Sequence, residues 1–169
     1  MSAFALLIAA VGAERSAELV IAQRNLAWSR AHGGAEFGAR HYPAMVALHT
    51  SLLVSCLAES VRLRRPFIPA LGWPMLATVL AAQGLRWWCI ATLGRQWNTR
   101  VVVVPGAARV VRGPYRFVSH PNYVAVAAEG AALPLVHTAW ITALIFSVLN
   151  AALLRTRIKV ENAALASLT

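Results

Sequence analysis

The chain has 169 residues, of which 59% are hydrophobic and 13% charged, with a mean hydropathy of +0.59; a soluble domain carries roughly 25% charged residues. An ordinary soluble globular domain is excluded, and the apolar runs that recur from Ala3 to Leu154 between short Arg-rich breaks read as a small polytopic membrane protein. The net charge of +10, from 16 Lys and Arg against 6 Glu and no Asp, matches nucleic-acid binders in size. Its placement in the breaks, where loops meet lipid headgroups, argues against such a partner.

The first apolar stretch, Ala3 to Ile21, is long enough to span, since a membrane helix needs roughly 20 residues. It carries Glu14, Arg15 and Glu18, and three unpaired charges in a bilayer would cost on the order of 8–10 kcal/mol. Their spacing of three and four puts them on one helical face, turned toward protein, as interhelical glue, a polar cluster near a site or a dimer contact. Gln23 to Arg40, with a Gly33-Gly34 break, reads as a loop on the membrane surface. Pro43 to Val61 is a second span with His49 inside and Glu59 near its end, stopped by Arg62 to Arg65 and Pro66.

The third span runs from about Pro69 to Leu93, with Trp73 at one interface and Trp87, Trp88 and a snorkelling Arg86 at the other. Gly94 to Pro121 is the one long hydrophilic stretch; Pro105-Gly106 between Val101–Val104 and Val110-Val111 predicts a turn or short hairpin. Tyr123 to Val136 and Ala139 to Leu154 are two short apolar segments joined at Leu133-Pro134 through His137, a tilted or partly re-entrant hairpin, followed by a short helix through Leu168. Cys56 and Cys89 lie inside apolar runs without CxxC spacing, so neither a disulfide framework nor a metal site is expected.

The expected fold is therefore an all-α polytopic membrane protein of about five transmembrane or partly re-entrant helices. Three transmembrane helices occupy residues 1–93, and residues 94–169 add the loop, the hairpin and a C-terminal helix to one integrated membrane domain. Eleven basic residues (Arg24, Arg30, Arg40; Arg95, Arg100, Arg109, Arg112, Arg116; Arg155, Arg157, Lys159) fall on one side against three at Arg62 to Arg65. The positive-inside rule puts the long loop and the C-terminus in the cytoplasm.

Tyr115, His120, Tyr123 and Glu161 then meet where the last hairpin leaves the membrane, a place for a soluble cofactor. No Walker loop, GxGxxG, HExxH or GxSxG run is present, so the machinery of nucleotide hydrolysis, Rossmann binding, zinc proteolysis and α/β-hydrolase chemistry is missing. Arg157 and Glu161, four apart, share a helical face. They read either as parts of a site or as a surface ion pair worth about 0–1 kcal/mol. Glu129 stands in mid-membrane, where a carboxylate is expensive and marks function; it lines a pocket, makes a structural hydrogen bond or pairs with a partner such as Arg86. Asn150, in the last apolar segment, poses the same question.

The run Arg112-Gly113-Pro114-Tyr115-Arg116-Phe117-Val118-Ser119-His120-Pro121-Asn122-Tyr123, followed by Arg157-Ile158-Lys159-Val160-Glu161, resembles the isoprenylcysteine carboxyl methyltransferase family over residues 94–165. Gln23-Arg24-Asn25 and His41-Tyr42-Pro43 through His49-Thr50 resemble a bacterial subgroup whose members often accompany type III polyketide synthases. The resemblance implies an integral membrane methyltransferase of the bacterial inner membrane using S-adenosylmethionine, with S-adenosylhomocysteine as product. It places cofactor contacts on Ala107, Ala108, Arg109, Val110, Tyr115, His120, Pro121, Asn122, Tyr123 and Glu161, and a substrate-orienting role on Arg157. Ser119 stands where the family has Arg before His-Pro, and Asn162 where a second glutamate is common.

The implied chemistry is an in-line displacement that rests on positioning and exclusion of water. A carboxylate acceptor needs no base, whereas a neutral phenol does, with His120 or Glu129 as candidates. The acceptor is then an isoprenylcysteine-like carboxylate or an alkylresorcinol or alkylpyrone hydroxyl, entering from the bilayer. Membrane lipids surround the chain, no metal is implied, and a homo-oligomer stays open. Two other functions compete: phospholipid N-methylation, with Glu129 as counter-charge, and a non-catalytic membrane scaffold or transporter.

Overall fold

The computed structural model describes residues 2–166. Its elements are α1 (Ser2–Ala31), β1 (Ala35–Phe37), α2 (Tyr42–Arg62), α3 (Pro69–Leu93), β2 (Val101–Val103), α4 (Pro121–Leu135) and α5 (Trp140–Ala166), with short 3-10 turns at Ala39–His41, Gly94–Gln96 and Gly113–Arg116. Prolines stand in the first turn of α2, α3 and α4, where a missing N–H costs nothing. Three helices, α2, α3 and α5, are long and apolar enough to cross a membrane. Many of their large side chains, among them Leu80, Trp88, Leu144 and Val148, are exposed, as lipid-facing residues are.

Of the five expected transmembrane or partly re-entrant helices all five are present as helices and three meet the length and apolarity of a span, and the arrangement differs in four respects. Residues 23–31 are the end of α1 and not a surface loop, because their polar groups find partners: Asn25 Nδ2 donates to the carbonyls of Gly94 (3.1 Å) and Trp97 (2.7 Å). The helix stops at Gly33, whose φ of 75° suits glycine, with Gly34 N donating to Ser29 O at 2.8 Å. Val101–Val103 does not fold back on Val110-Val111; it pairs antiparallel with Ala35–Phe37, so the mostly helical fold carries one short ribbon. The ribbon persists because Phe37, Val101 and Val103 have an apolar surface to pack on, formed by Val160, Ala164 and Leu165 of α5. The final stretch is not a separate short helix but the continuation of α5 to Ala166; Leu168 lies outside the described residues.

The fourth difference concerns Arg86, which does not snorkel. It is buried, and its guanidinium donates to Glu18 at 2.5 and 2.8 Å. Arg15 donates to Glu18 at 2.7 Å, to Gln83 at 2.8 Å and to Glu129, so Glu129 pairs with Arg15 and not with Arg86. Glu14 accepts from Gln83 and Trp87. The face predicted on α1 thus knits α1, α3 and α4 together. Beside it, Arg15, His49, Arg86 and Glu129 line a cavity of about 20 Å³, room for a water molecule.

The apolar core adjoins this cavity and joins Phe4, Ile8 and Val11 of α1 to Leu52 and Cys56 of α2, Val79 of α3, Leu133 of α4 and Phe146 of α5. Gly130 lets α4 and α5 close, since a Cβ there would sit 1.9 Å from the Phe146 ring. At the α4–α5 turn, Thr138 takes a φ of 52°, held by its hydroxyl on the Pro66 carbonyl at 2.8 Å. Glu59 caps α5 from across the bundle: it accepts Ile141 N–H (3.2 Å), Thr142 N–H (2.7 Å) and the Thr142 hydroxyl (2.7 Å), and pairs with Arg65 at 2.8 Å. A helix N-terminus leaves such donors open, and here another helix fills them.

Candidate functional site

His120 precedes Pro121, and that position disfavours helical backbone. The chain therefore turns at His120 (φ −130°, ψ 61°) and enters α4 with Tyr123 one step inside the first turn. The last turns of α5 pass alongside and bring Arg157, Glu161 and Asn162 to the same place. Tyr123 donates its hydroxyl hydrogen to Glu161 Oε2. His120 stacks on the Tyr123 ring at 5.4 Å between centroids, with Nε2 3.1 Å from Asn162 Oδ1 and Nδ1 3.7 Å from Glu161 Oε1. A neutral ring that donates from Nε2 to Asn162 keeps a lone pair on Nδ1; protonation converts the Glu161 contact into an ion pair.

Arg157 is buried and is not paired with Glu161 on the surface. Its Nη2 donates to the Thr99 carbonyl at 2.9 Å, its Nη1 lies 2.8 Å from Met45 Sδ, and its guanidinium carbon sits 5.7 Å from the Tyr123 ring centroid. Thr99 belongs to the loop that leads into β2, and Met45 to the first turn of α2. Two buried polar atoms here lack partners among the described residues, Arg157 Nε and Asn122 Oδ1. A buried charged donor and a buried amide acceptor without partners are costly to leave so.

Tyr115, in the 3-10 turn Gly113–Arg116, has its phenol beside the Cys89 thiol at the end of α3. Burial, with Cys89 beside it, pushes the Tyr115 phenol above its ordinary range, and the charges of Glu161 and Tyr123 also act on it. Ala107 to Val110 run without regular structure past the Pro105-Gly106 turn. Ala107 N donates to Val104 O at 3.1 Å and Ala108 O accepts from Gln96 Nε2 at 3.5 Å, while Ala108 and Arg109 are exposed. Among the described residues this run makes no hydrogen bond or ion pair to the His120–Tyr123–Glu161 cluster. Glu129 lies six residues deeper on α4, about 9 Å along the axis, and belongs to the Arg15 network.

The structure therefore gathers Tyr115, His120, Pro121, Asn122, Tyr123, Arg157 and Glu161, and sets Glu129 apart from them in the Arg15 network. Met45, Cys89 and Thr99 were missed. Met45 follows His41-Tyr42-Pro43 closely enough for that motif to have hinted at it, whereas Thr99 contributes a main-chain oxygen, which no residue type announces. Among the described residues no group of three or more His, Cys, Asp or Glu is placed to hold a metal ion. A model of the isoprenylcysteine carboxyl methyltransferase family matches residues 75–167. The uncharacterized protein YpbQ of Bacillus subtilis (strain 168) is 38% identical over 163 residues, covering 96% of each chain.

Proposed function

The chain belongs to the isoprenylcysteine carboxyl methyltransferase family, and from that premise we propose that it is an S-adenosylmethionine-dependent O-methyltransferase of the bacterial inner membrane, with its site facing the cytoplasm. The acceptor is a lipophilic molecule, either the hydroxyl of an alkylresorcinol or alkylpyrone or an isoprenylcysteine-like carboxylate. The observation that carries the reading is the cluster in which Tyr123, His120 and Glu161 hold one another while Arg157 Nε and Asn122 Oδ1 lack partners among the described residues.

These residues fit the cofactor. Glu161, whose side chain is 31% exposed, has oxygen capacity left for an ammonium or hydroxyl donor; Asn122 Oδ1 accepts a further hydrogen bond, and the ring faces of Tyr123 and His120 give it a flat apolar wall. Tyr115 closes the α3 side, and the peptide groups of Ala107 to Val110 are the remaining contacts. When bound, S-adenosylmethionine supplies an electrophilic methyl group. Arg157, anchored by Thr99 and Met45, is the charged group assigned to orient the acceptor oxygen, and a guanidinium fixed at two corners loses little freedom on binding. For a hydroxyl acceptor, the His120 Nδ1 lone pair is the available proton acceptor, because Glu129 is held by Arg15.

A groove of about 480 Å³ between α2 and α5, lined by Leu48, Ser51, Ser55, Ile145 and Leu149, supports a lipophilic acceptor. It begins at Leu48, three residues from Met45. Phospholipid N-methylation is less well supported, because the carboxylate that would balance an amine, Glu129, is already matched. A scaffold or transporter gives no account of the open groups at Arg157 and Asn122.

Calorimetric titration of the detergent-purified protein with S-adenosylmethionine and S-adenosylhomocysteine tests the reading. Both ligands should bind, and Tyr123→Ala should abolish binding while leaving the protein folded. Folded native protein that binds neither ligand, with membrane lipid added back, would overturn it.

A further inference from the structure

The groove between α2 and α5 has a second end, remote from Met45 and Arg157. It runs from Leu48 and Leu149 to Arg62 and Ile141, and the helix between Leu48 and Arg62 is about 21 Å long. That exceeds half of a hydrocarbon core of about 30 Å, so the groove passes the middle of the bilayer. Its volume of about 480 Å³ falls within the range of about 300–1,000 Å³ usual for small-molecule sites. Leucine and isoleucine side chains line it over most of its length, and Ser51, Ser55 and Ala58 keep the α2 wall low.

Charge sets the Arg62 end apart. The side chains of Arg62 and Arg64 are exposed and make no hydrogen bond or ion pair among the described residues. Glu59 also lines the groove, but Arg65 at 2.8 Å balances its charge and the N–H groups of Ile141 and Thr142 engage its oxygens. Two positive charges are therefore left over at this mouth. Trp73 and Trp140, both exposed, stand at the same end of the bundle near the starts of α3 and α5. Exposed tryptophans of membrane helices mark headgroup depth, where lipid phosphates lie.

We propose that the groove binds an anionic phospholipid of the leaflet opposite the candidate methyltransferase site, with its phosphate on the Arg62 guanidinium and one acyl chain laid between α2 and α5 toward Leu48. A guanidinium takes a phosphate by two parallel N–H···O bonds, and the apolar walls take the chain that follows it. Arg64 adds attraction for a lipid whose headgroup carries a net negative charge. The inference goes beyond the methyltransferase reading and does not depend on it. An acceptor tail entering at Leu48 and a lipid chain entering at Arg62 occupy the same space, so each displaces the other.

The test titrates delipidated native protein in detergent with dioleoylphosphatidylglycerol or dioleoylphosphatidylcholine, read by native mass spectrometry. The first phosphatidylglycerol should bind about tenfold or more tightly than phosphatidylcholine, whose choline brings a further positive charge beside two arginines. Arg62→Gln should lose that preference, and Ser55→Phe, which fills the groove, should lose the tight site. Arg24→Gln removes the same charge from the other end of the bundle, where Arg24 is also exposed, and should bind as the native protein does. Arg62 is at the surface, so Arg62→Gln should melt close to native. Equal binding of the two lipids, a preference kept by Arg62→Gln, or a tight site kept by Ser55→Phe would each overturn the inference. An equal loss in Arg24→Gln would also overturn it, by reducing it to general attraction to a basic chain. A lipid-free dimer that Ser55→Phe splits would assign the groove to a second copy of the chain instead. S-adenosylmethionine titration of the same native sample decides the methyltransferase reading separately.

Discussion

Two groups of polar residues lie at different depths in this bundle, and they differ in how completely they are matched. In the deeper one, Glu14, Arg15, Glu18, Arg86 and Glu129 share their hydrogen bonds with one another, Gln83 and Trp87. In the shallower one, Tyr123, His120 and Glu161 are joined, but Arg157 Nε and Asn122 Oδ1 are left over. Both contain Arg and Glu on helices, so residue type does not separate them. What separates them is the remainder: a closed network holds helices together, and an open one has capacity for a ligand.

The comparison can be broken most forcefully at Arg15. Arg15→Met leaves Glu129 unpaired and Glu18 with one partner fewer, and removing one member of a buried pair costs about 3–5 kcal/mol; a sharp fall in detergent melting temperature should follow. If Arg15→Met melted like the native protein, the closed network would not be what holds α1 to α3 and α4. Glu161→Gln should do the reverse. It should weaken S-adenosylmethionine binding by about 10–100-fold, equivalent to about 1.4–2.8 kcal/mol, with the melting temperature nearly unchanged. Unaltered affinity in calorimetry would remove Glu161 from the site.

A finer distinction comes from Glu59, which is closed like the deeper group but sits at the far end of the bundle. Glu59→Gln keeps the shape but weakens the cap on α5, costing about 1–2 kcal/mol in melting experiments and leaving cofactor affinity alone. The smallest effect is expected for the pair Arg15→Met with Glu129→Leu. Replacing both partners removes the unpaired charge, so the double variant should recover most of the loss of the single one. A double variant as unstable as Arg15→Met alone would place the stabilisation elsewhere in the network.

Much of this arrangement was legible in the sequence. Spacing alone put Glu14, Arg15 and Glu18 on one protein-facing side of α1, and the cost of charge in lipid required partners for them. The run through Tyr123 with Arg157 and Glu161 marked the shallower group. What could not be read was pairing across the bundle, because helical periodicity says which face is buried and not what it meets. Arg86 looked like an interface residue, since an Arg beside two Trp near a helix end has the same local pattern whether it snorkels or finds Glu18. The β1–β2 ribbon was missed for a similar reason: Pro105-Gly106 is a good local turn, but Val101–Val103 found a better partner 66 residues earlier, Val101 opposite Phe37 at 64 and Val103 opposite Ala35 at 68. Thr138 gives no signal, because a β-branched residue in the left-handed region is disfavoured locally and persists only through the Pro66 carbonyl.

That ribbon also fixes an order of events during synthesis. β1 is made before α2 and α3, β2 after them, and the apolar surface that both lie on belongs to the last turns of α5. The ribbon can therefore zip once the α2–α3 hairpin has inserted, but it cannot settle until Val160 and Ala164 have left the ribosome. Glu161 lies between those two residues, so Tyr123 and His120 receive their partner in the same step. A nascent chain halted before Val160 would have α2 and α3 made and Tyr123 and His120 still without Glu161.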